Sequence, residues 1–211
     1  MKRNQSEWIR LVGYITMVID HIGVFLFPEA ALFRVIGRIA FPCFLYGVVE
    51  GVEHTSNSIN YAKRLTYMGI VSIVAWGRYF PINIGFTLAL VVLGLTALRK
   101  KNYILIFLTG ILSVFVEYSV YAYLLGFILY GWRQGLMSDF QSLLVTIFLH
   151  ILFLPISGFS QLFALLFILV YFFTKNLKRK APAFPRWFGY SFYPIHVFVL
   201  RIVGALLGVS V

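Results

Sequence analysis

Asp20 and His21 are adjacent, and both interrupt an apolar run, "MVIDHIGVFLF". Arg34 and Arg38 interrupt the next one, "LFRVIGRIAFP". A carboxylate, an imidazole and two guanidiniums are the parts of proton transfer and of anion stabilisation. An ionised side chain at the centre of a membrane helix costs about 2.5–3.5 kcal/mol even on lenient insertion scales, so such groups face a bundle interior or a wet cavity. A structural Asp–Arg pair with a hydrogen-bonded core histidine explains each residue singly. It does not explain why several costly groups gather in one short stretch.

The elements that must position these groups are membrane helices. The chain has 61% hydrophobic and 12% charged residues, where soluble domains carry about 25% charged. Apolar runs lie at 8–27, 32–52, 65–80, 82–98, 103–117, 119–131, 139–156, 159–174 and 188–209. Their lengths, without period-two alternation, predict an all-α polytopic transmembrane helix bundle of about nine spans, with eight to ten open because several runs fall short of ~20 residues. Residues 1–211 read as one integral-membrane domain. The first run is about 20 residues, too long for a signal-peptide core, and is expected to be a retained helix. The lone Cys43 lies in an apolar run and allows no intrachain disulfide.

The net charge of +11 raises the question of nucleic acid. The cations, however, alternate between connections: Lys2, Arg3 and Arg10, then Lys63 and Arg64, Arg99 to Lys101, Arg133, and "KNLKRK" with Arg186. The intervening loops "PEA", "RYFPIN", "VEYSVY" and "PISGFS" hold only Arg78 among cations. That pattern satisfies the positive-inside rule with the N-terminus cytoplasmic and the C-terminus outside, so no nucleic-acid partner is needed. The lipid bilayer is the expected surrounding. Gly47-x-x-x-Gly51 and Gly204-x-x-x-Gly208 are spacings that permit close helix contact.

The topology supplies depths. At 1.5 Å per residue, His21 lies about 9 Å from the outer end of span one and Arg38 about 9 Å from that of span two. Asp20, His21 and Arg38 then share a level, with Arg34 one turn above. Arg201 in the last span is expected at that level too, His196 nearer midplane and Tyr193 a turn below. Neighbouring helix residues point about 100° apart, so Asp20 is expected to pair with Arg38 or Arg34 rather than to orient His21. Three arginines against one carboxylate predict an electropositive layer. At the cytoplasmic end, Glu50 and His54 form an i,i+4 pair that is either an ordinary helix end or a mouth for an anionic ligand. Asn83 and Thr87 read as helix-cap residues, and His150 as a satisfied core histidine. No residue spacing fits a metal site, and there is no Walker loop or nucleophile elbow.

"MVIDHIG", "RVIGRIAFPCFLYGVVEGVEHTSN", "YAKRL" and "SFYPIHVFVL" resemble the TraX family, named for the conjugative-pilin N-acetyltransferase. More distantly they resemble the polytopic acyltransferases that include the heparan-glucosamine N-acetyltransferase and acyltransferase-3 types. The resemblance covers spans one to three and the last span. It implies acetyl transfer from cytoplasmic acetyl-CoA, a donor substrate rather than a resident cofactor, with no metal, in a bacterial cytoplasmic membrane. It carries the catalytic role onto His21, with Asp20 and Arg38 as companions. It puts Glu50, His54, Arg64, Tyr193 and His196 among motif positions without fixed roles. Arg34 and Arg201 join them as candidate substrate- or donor-binding groups. His21 would act as general base or as acyl carrier. The acceptor stays open among a protein N-terminus, a sugar and a small molecule, and homo-oligomerisation stays open as well. A small proton-coupled transporter and a non-catalytic assembly subunit are the rival readings of the same constellation.

Overall fold

Apolar runs in lipid must satisfy their own backbone groups, and helices do so within each segment. The computed structural model describes residues 2–76, 82–185 and 187–209. Arg78 and Arg186, used above in the loop count, lie outside them, as do the side chains of Lys2 and Arg3. The helices are α1 (Lys2–Leu26), α2 (Ala31–Gly37), α3 (Ala40–His54), α4 (Ser58–Trp76), α5 (Ile84–Arg99), α6 (Tyr103–Leu112), α7 (Ser119–Arg133), α8 (Asp139–Ser157), α9 (Leu166–Lys175) and α10 (Phe188–Leu206). Short 3₁₀ turns cover Ser113–Phe115 and Phe159–Leu165. There is no strand among the described residues, and each of the nine apolar runs carries helix. Four segments, Asn4–Leu26, Ala31–His54, Asp139–Ser157 and Phe188–Leu206, are long and apolar enough to cross a membrane.

The second span is broken between α2 and α3. Pro42 has no N–H to give the carbonyl of Arg38, and its ring crowds that carbonyl. The amides of Arg38 and Ile39 instead bond back three residues, to Val35 and Ile36 at 3.3 and 3.2 Å. Arg38 therefore sits at the break. Gly37, beside it, is pressed against Asp20, and a Cβ there would overlap the carboxylate. At the same end, a Cβ on Gly204 would meet the Phe25 carbonyl at 2.7 Å, so α10 can lie directly on the end of α1.

The buried core centres on α3, α5 and α7, where Leu45, Val49, Val52, Val91, Val92, Leu95, Leu125 and Leu129 are almost wholly enclosed. Large apolar side chains of α6, α8 and α9 face outward instead, among them Ile104, Phe107, Phe148, Leu169 and Phe173. Lipid matches such a surface, so helix association rests on packing and polar contacts rather than on hiding apolar area from water.

The connections sort to two ends. At the basic end, the Asn4 amide donates to the Arg179 carbonyl at 3.1 Å and Trp8 Nε1 to the same carbonyl at 3.0 Å. There too Arg99 Nη1 donates to the Val52 carbonyl at 2.5 Å, and Lys175 meets Asp139 at 2.7 Å. At the opposite, hairpin end, α1 turns into α2 and Asn83 caps α5. Its amide oxygen accepts from the Gly85 N–H while its amide nitrogen donates to the Gly69 carbonyl.

Candidate active site

A cavity of about 1780 Å³ runs between the two ends. Glu50, His54, Arg64 and Arg133 line its basic end, and Asp20, His21, Arg34, Arg38 and Glu117 its hairpin end.

His21 is held from two sides. Its Nδ1 lies 2.6 Å from Nε2 of His196, and the two rings meet edge to edge, with centroids 4.8 Å apart and planes 18° apart. Trp76 meets the His21 ring edge-on at 5.1 Å and 86°. The Trp76 Nε1–H donates to the Tyr193 hydroxyl at 2.9 Å, so Tyr193 braces the ring that braces the histidine. His21 is 6% exposed, yet it lines the cavity. No described residue hydrogen-bonds to its Nε2.

Asp20 pairs with Arg34, its Oδ2 lying 2.8 Å from Nη1. The other oxygen, Oδ1, is buried without a hydrogen-bond partner among the described residues, and so is Nε of Arg38. A buried unsatisfied group in an interior costs on the order of 1–3 kcal/mol. Such groups in a cavity mark where a ligand's polar atoms fit. Glu117, absent from the candidates read from the sequence, joins them at the cavity wall. Its amide donates to the Ile82 carbonyl at 3.1 Å, and its carbonyl accepts from the Thr87 hydroxyl at 2.6 Å. Tyr118 follows in the left-handed region at φ 61 and stacks on Phe41 at 4.1 Å. A bulky residue at positive φ is strained and persists only where its surroundings hold it. The only hint in the sequence was a carboxylate in an otherwise uncharged hairpin-end loop.

The charge balance expected at this level is corrected accordingly. Arg201 does not join the layer. Its exposed guanidinium turns outward to the Val74 and Ala75 carbonyls at 3.4 and 3.3 Å, and it does not line the cavity. With Glu117 in and Arg201 out, two carboxyl groups, Asp20 and Glu117, and two guanidiniums, Arg34 and Arg38, line the hairpin end of the cavity. His196 is likewise level with His21 rather than deeper.

At the basic end, Glu50 and His54 do not meet through their side-chain charges. The His54 ring bonds the Glu50 backbone carbonyl at 2.9 Å. The Glu50 carboxylate faces Arg133 at 3.5 Å and Arg10 at 3.8 Å. Arg133 also grips Glu53, with Nη2 at 2.8 Å and Nε at 3.1 Å from its oxygens, and lies over the Tyr46 ring at 4.6 Å. This network ties α1, α3 and α7. Arg64 is different: exposed, it stands 5.7 Å from the Tyr61 ring centre and 6.0 Å from that of Tyr190. His150, outside the cavity, has both ring nitrogens engaged, by the Thr146 carbonyl at 2.8 Å and the Tyr121 hydroxyl at 2.9 Å.

Comparison with known proteins gives a family and little else. The family described as TraX protein matches residues 5–204. A protein of Rickettsia prowazekii (strain Madrid E), "Uncharacterized protein RP591", is 44% identical over 45 residues, covering 21% of this chain and 18% of that relative. The chain thus spans only a small part of that relative's length. No solved structure matches.

Proposed function

The chain belongs to the TraX family, and we propose that it is a membrane-embedded acyltransferase moving an acetyl group from acetyl-CoA to an amine or hydroxyl acceptor. The observation that carries this reading is one cavity joining a mouth lined by a cation and aromatic rings to a buried histidine whose Nε2 has no partner among the described residues. Pockets for a single small ligand are typically ~300–1,000 Å³. At about 1780 Å³, this one has room for donor and acceptor together.

In this reading the basic end faces the cytoplasm of a bacterial cell, the C-terminus lies outside, and residues 1–211 act as one domain. The gathering of loop cations at one end supports that orientation. Arg64, between Tyr61 and Tyr190, takes the phosphates or the base of the donor, since guanidinium binds phosphate in a fork and aromatic faces stack on a planar base. Glu50 and His54 shape the mouth. His21 either removes the acceptor's proton as it attacks the thioester or first accepts the acyl group itself. Arg38 stabilises the negative charge that develops on the thioester oxygen. Asp20, fixed by Arg34, offers Oδ1 to the acceptor, and Tyr193 keeps Trp76 against the imidazole.

The test is binding together with transfer. Purified protein in detergent is melted with acetyl-CoA, CoA or ATP, and labelled acetyl-CoA is then added to membranes containing it. A ligand at a hundred times its dissociation constant adds about 2.7 kcal/mol to a folded state that alone binds it. Acetyl-CoA is expected to raise the melting temperature more than ATP, and label is expected to leave the CoA pool. Absence of both at saturating donor overturns the reading.

A further inference from the structure

Four rings of α10 and its linker stack in a column that ends on His21. Phe184 stacks on Phe188 at 5.1 Å, Phe188 on Phe192 at 5.0 Å and Phe192 on His196 at 4.8 Å, and the His196 ring then meets His21 edge to edge, centroids 4.8 Å apart. Packing alone would be served by a fourth phenylalanine at position 196. The polar contacts distinguish a histidine there.

His196 Nδ1 lies 2.6 Å from the Phe192 carbonyl oxygen, which can only accept, so that nitrogen carries a proton. In a neutral ring the other nitrogen, Nε2, then holds a lone pair. That nitrogen lies 2.6 Å from His21 Nδ1, which must therefore be the donor. His21 carries its proton on Nδ1, and its lone pair is on Nε2. This is the nitrogen with no partner among the described residues. One backbone carbonyl thus fixes two tautomers in succession.

We propose that His196 is a positioning residue that holds His21 in the Nδ1–H tautomer, so that Nε2 is the reacting nitrogen and the charge His21 acquires is shared with a second ring. The role in turnover rests on the reading of His21 as the reacting group; the tautomer does not. As the acceptor attacks, its N–H or O–H bond breaks and the proton passes to His21 Nε2. The new bond to the acyl carbon forms and the carbon–sulfur bond breaks. The leaving thiolate then takes the proton from Nε2, and HS-CoA departs. While His21 is an imidazolium, its Nδ1–H points at the lone pair of His196, whose own Nδ1–H points at the Phe192 carbonyl. A general base held in the wrong tautomer has no lone pair where the substrate's proton is.

Two substitutions separate this role from packing. His196→Gln loses the ring and keeps an oxygen able to accept from His21 Nδ1. His196→Phe keeps the stacked ring and loses the acceptor. Protein labelled with ¹⁵N-histidine contains four histidines, assignable by single substitution, and ring nitrogen shifts distinguish protonated from unprotonated nitrogens. Wild type and His196→Gln are expected to show His21 protonated on Nδ1 alone, and His196→Phe to show both tautomers. In the transfer assay, His196→Gln is expected to stay near the wild-type kcat, and His196→Phe to fall about tenfold or more, within the range assigned to general-base catalysis, with KM for acetyl-CoA unchanged in both. His196→Phe at full rate with His196→Gln impaired would assign the residue to packing and overturn the proposal. So would a proton on Nε2 of His21 in the wild type, a result that needs no turnover. Retained transfer by His21→Ala would instead overturn the acyltransferase mechanism and leave the tautomer to the shifts.

Discussion

His21 and His150 are two histidines with nearly the same burial, 6% and 3% exposed, and opposite wiring. His150 bonds through both nitrogens, to a carbonyl one turn back and to the Tyr121 hydroxyl, whose oxygen also accepts from Gln161 at 3.2 Å. His21 bonds to a described residue through one nitrogen only, and it lines the cavity. The arginines divide in the same way. Arg133 is wrapped by Glu53, Glu50 and the face of Tyr46, whereas Nε of Arg38 has no hydrogen-bond partner among the described residues. Burial marks both groups as costly. Bonding separates those that hold helices together from those left open to the cavity.

The largest effect on stability should come from the fully wrapped arginine. Removing one partner of a buried ion pair strands the other charge and costs about 3–5 kcal/mol. Arg133→Ala is expected to lower the detergent melting midpoint sharply, with or without donor; unchanged melting would mean that Glu53 and Glu50 are not clamped by it. Arg38→Ala should reverse the pattern. Loss of one donor aimed at a developing oxyanion lowers kcat by about 10²–10³-fold, while stability falls less than in Arg133→Ala, because Nε of Arg38 has no hydrogen-bond partner among the described residues. If Arg38→Ala unfolds the chain instead, Arg38 belongs with Arg133. The smallest effect is expected at the rim, where Lys175 and Asp139 pair with side chains 43% and 41% exposed. Lys175→Ala should cost no more than about 1 kcal/mol and leave transfer untouched.

The helices and half of the site are legible in the sequence. Apolar run length placed the nine helical segments, and the short hairpin after Phe27 brought Asp20 beside Arg34. Pro42 accounts for the break at Arg38, although the consequence, an arginine at a helix break, is clear only with the geometry. What stayed hidden has physical reasons. Helical rise gives depth but not direction, so Arg201 was counted into a layer from which it turns away. The same counting assumes helices standing upright, and it set His196 too deep; α10 carries Pro194 in its interior and lies against α1 through Gly204. Glu117 comes from a turn far along the chain. It is fixed by the left-handed backbone at Tyr118 and by two hydrogen bonds to the start of α5, none of which has a period or a motif.

The most direct measurement compares the two histidines. Membranes containing His21→Ala or His150→Ala, matched for the amount of folded protein, are given labelled acetyl-CoA and the initial rate of transfer is read. The wiring predicts that His21→Ala loses about 10²–10⁴-fold, the contribution of a general base. His150→Ala is expected to keep the wild-type rate per folded molecule while melting earlier. Near-wild-type transfer by His21→Ala, or an equal loss in both variants, would contradict the account.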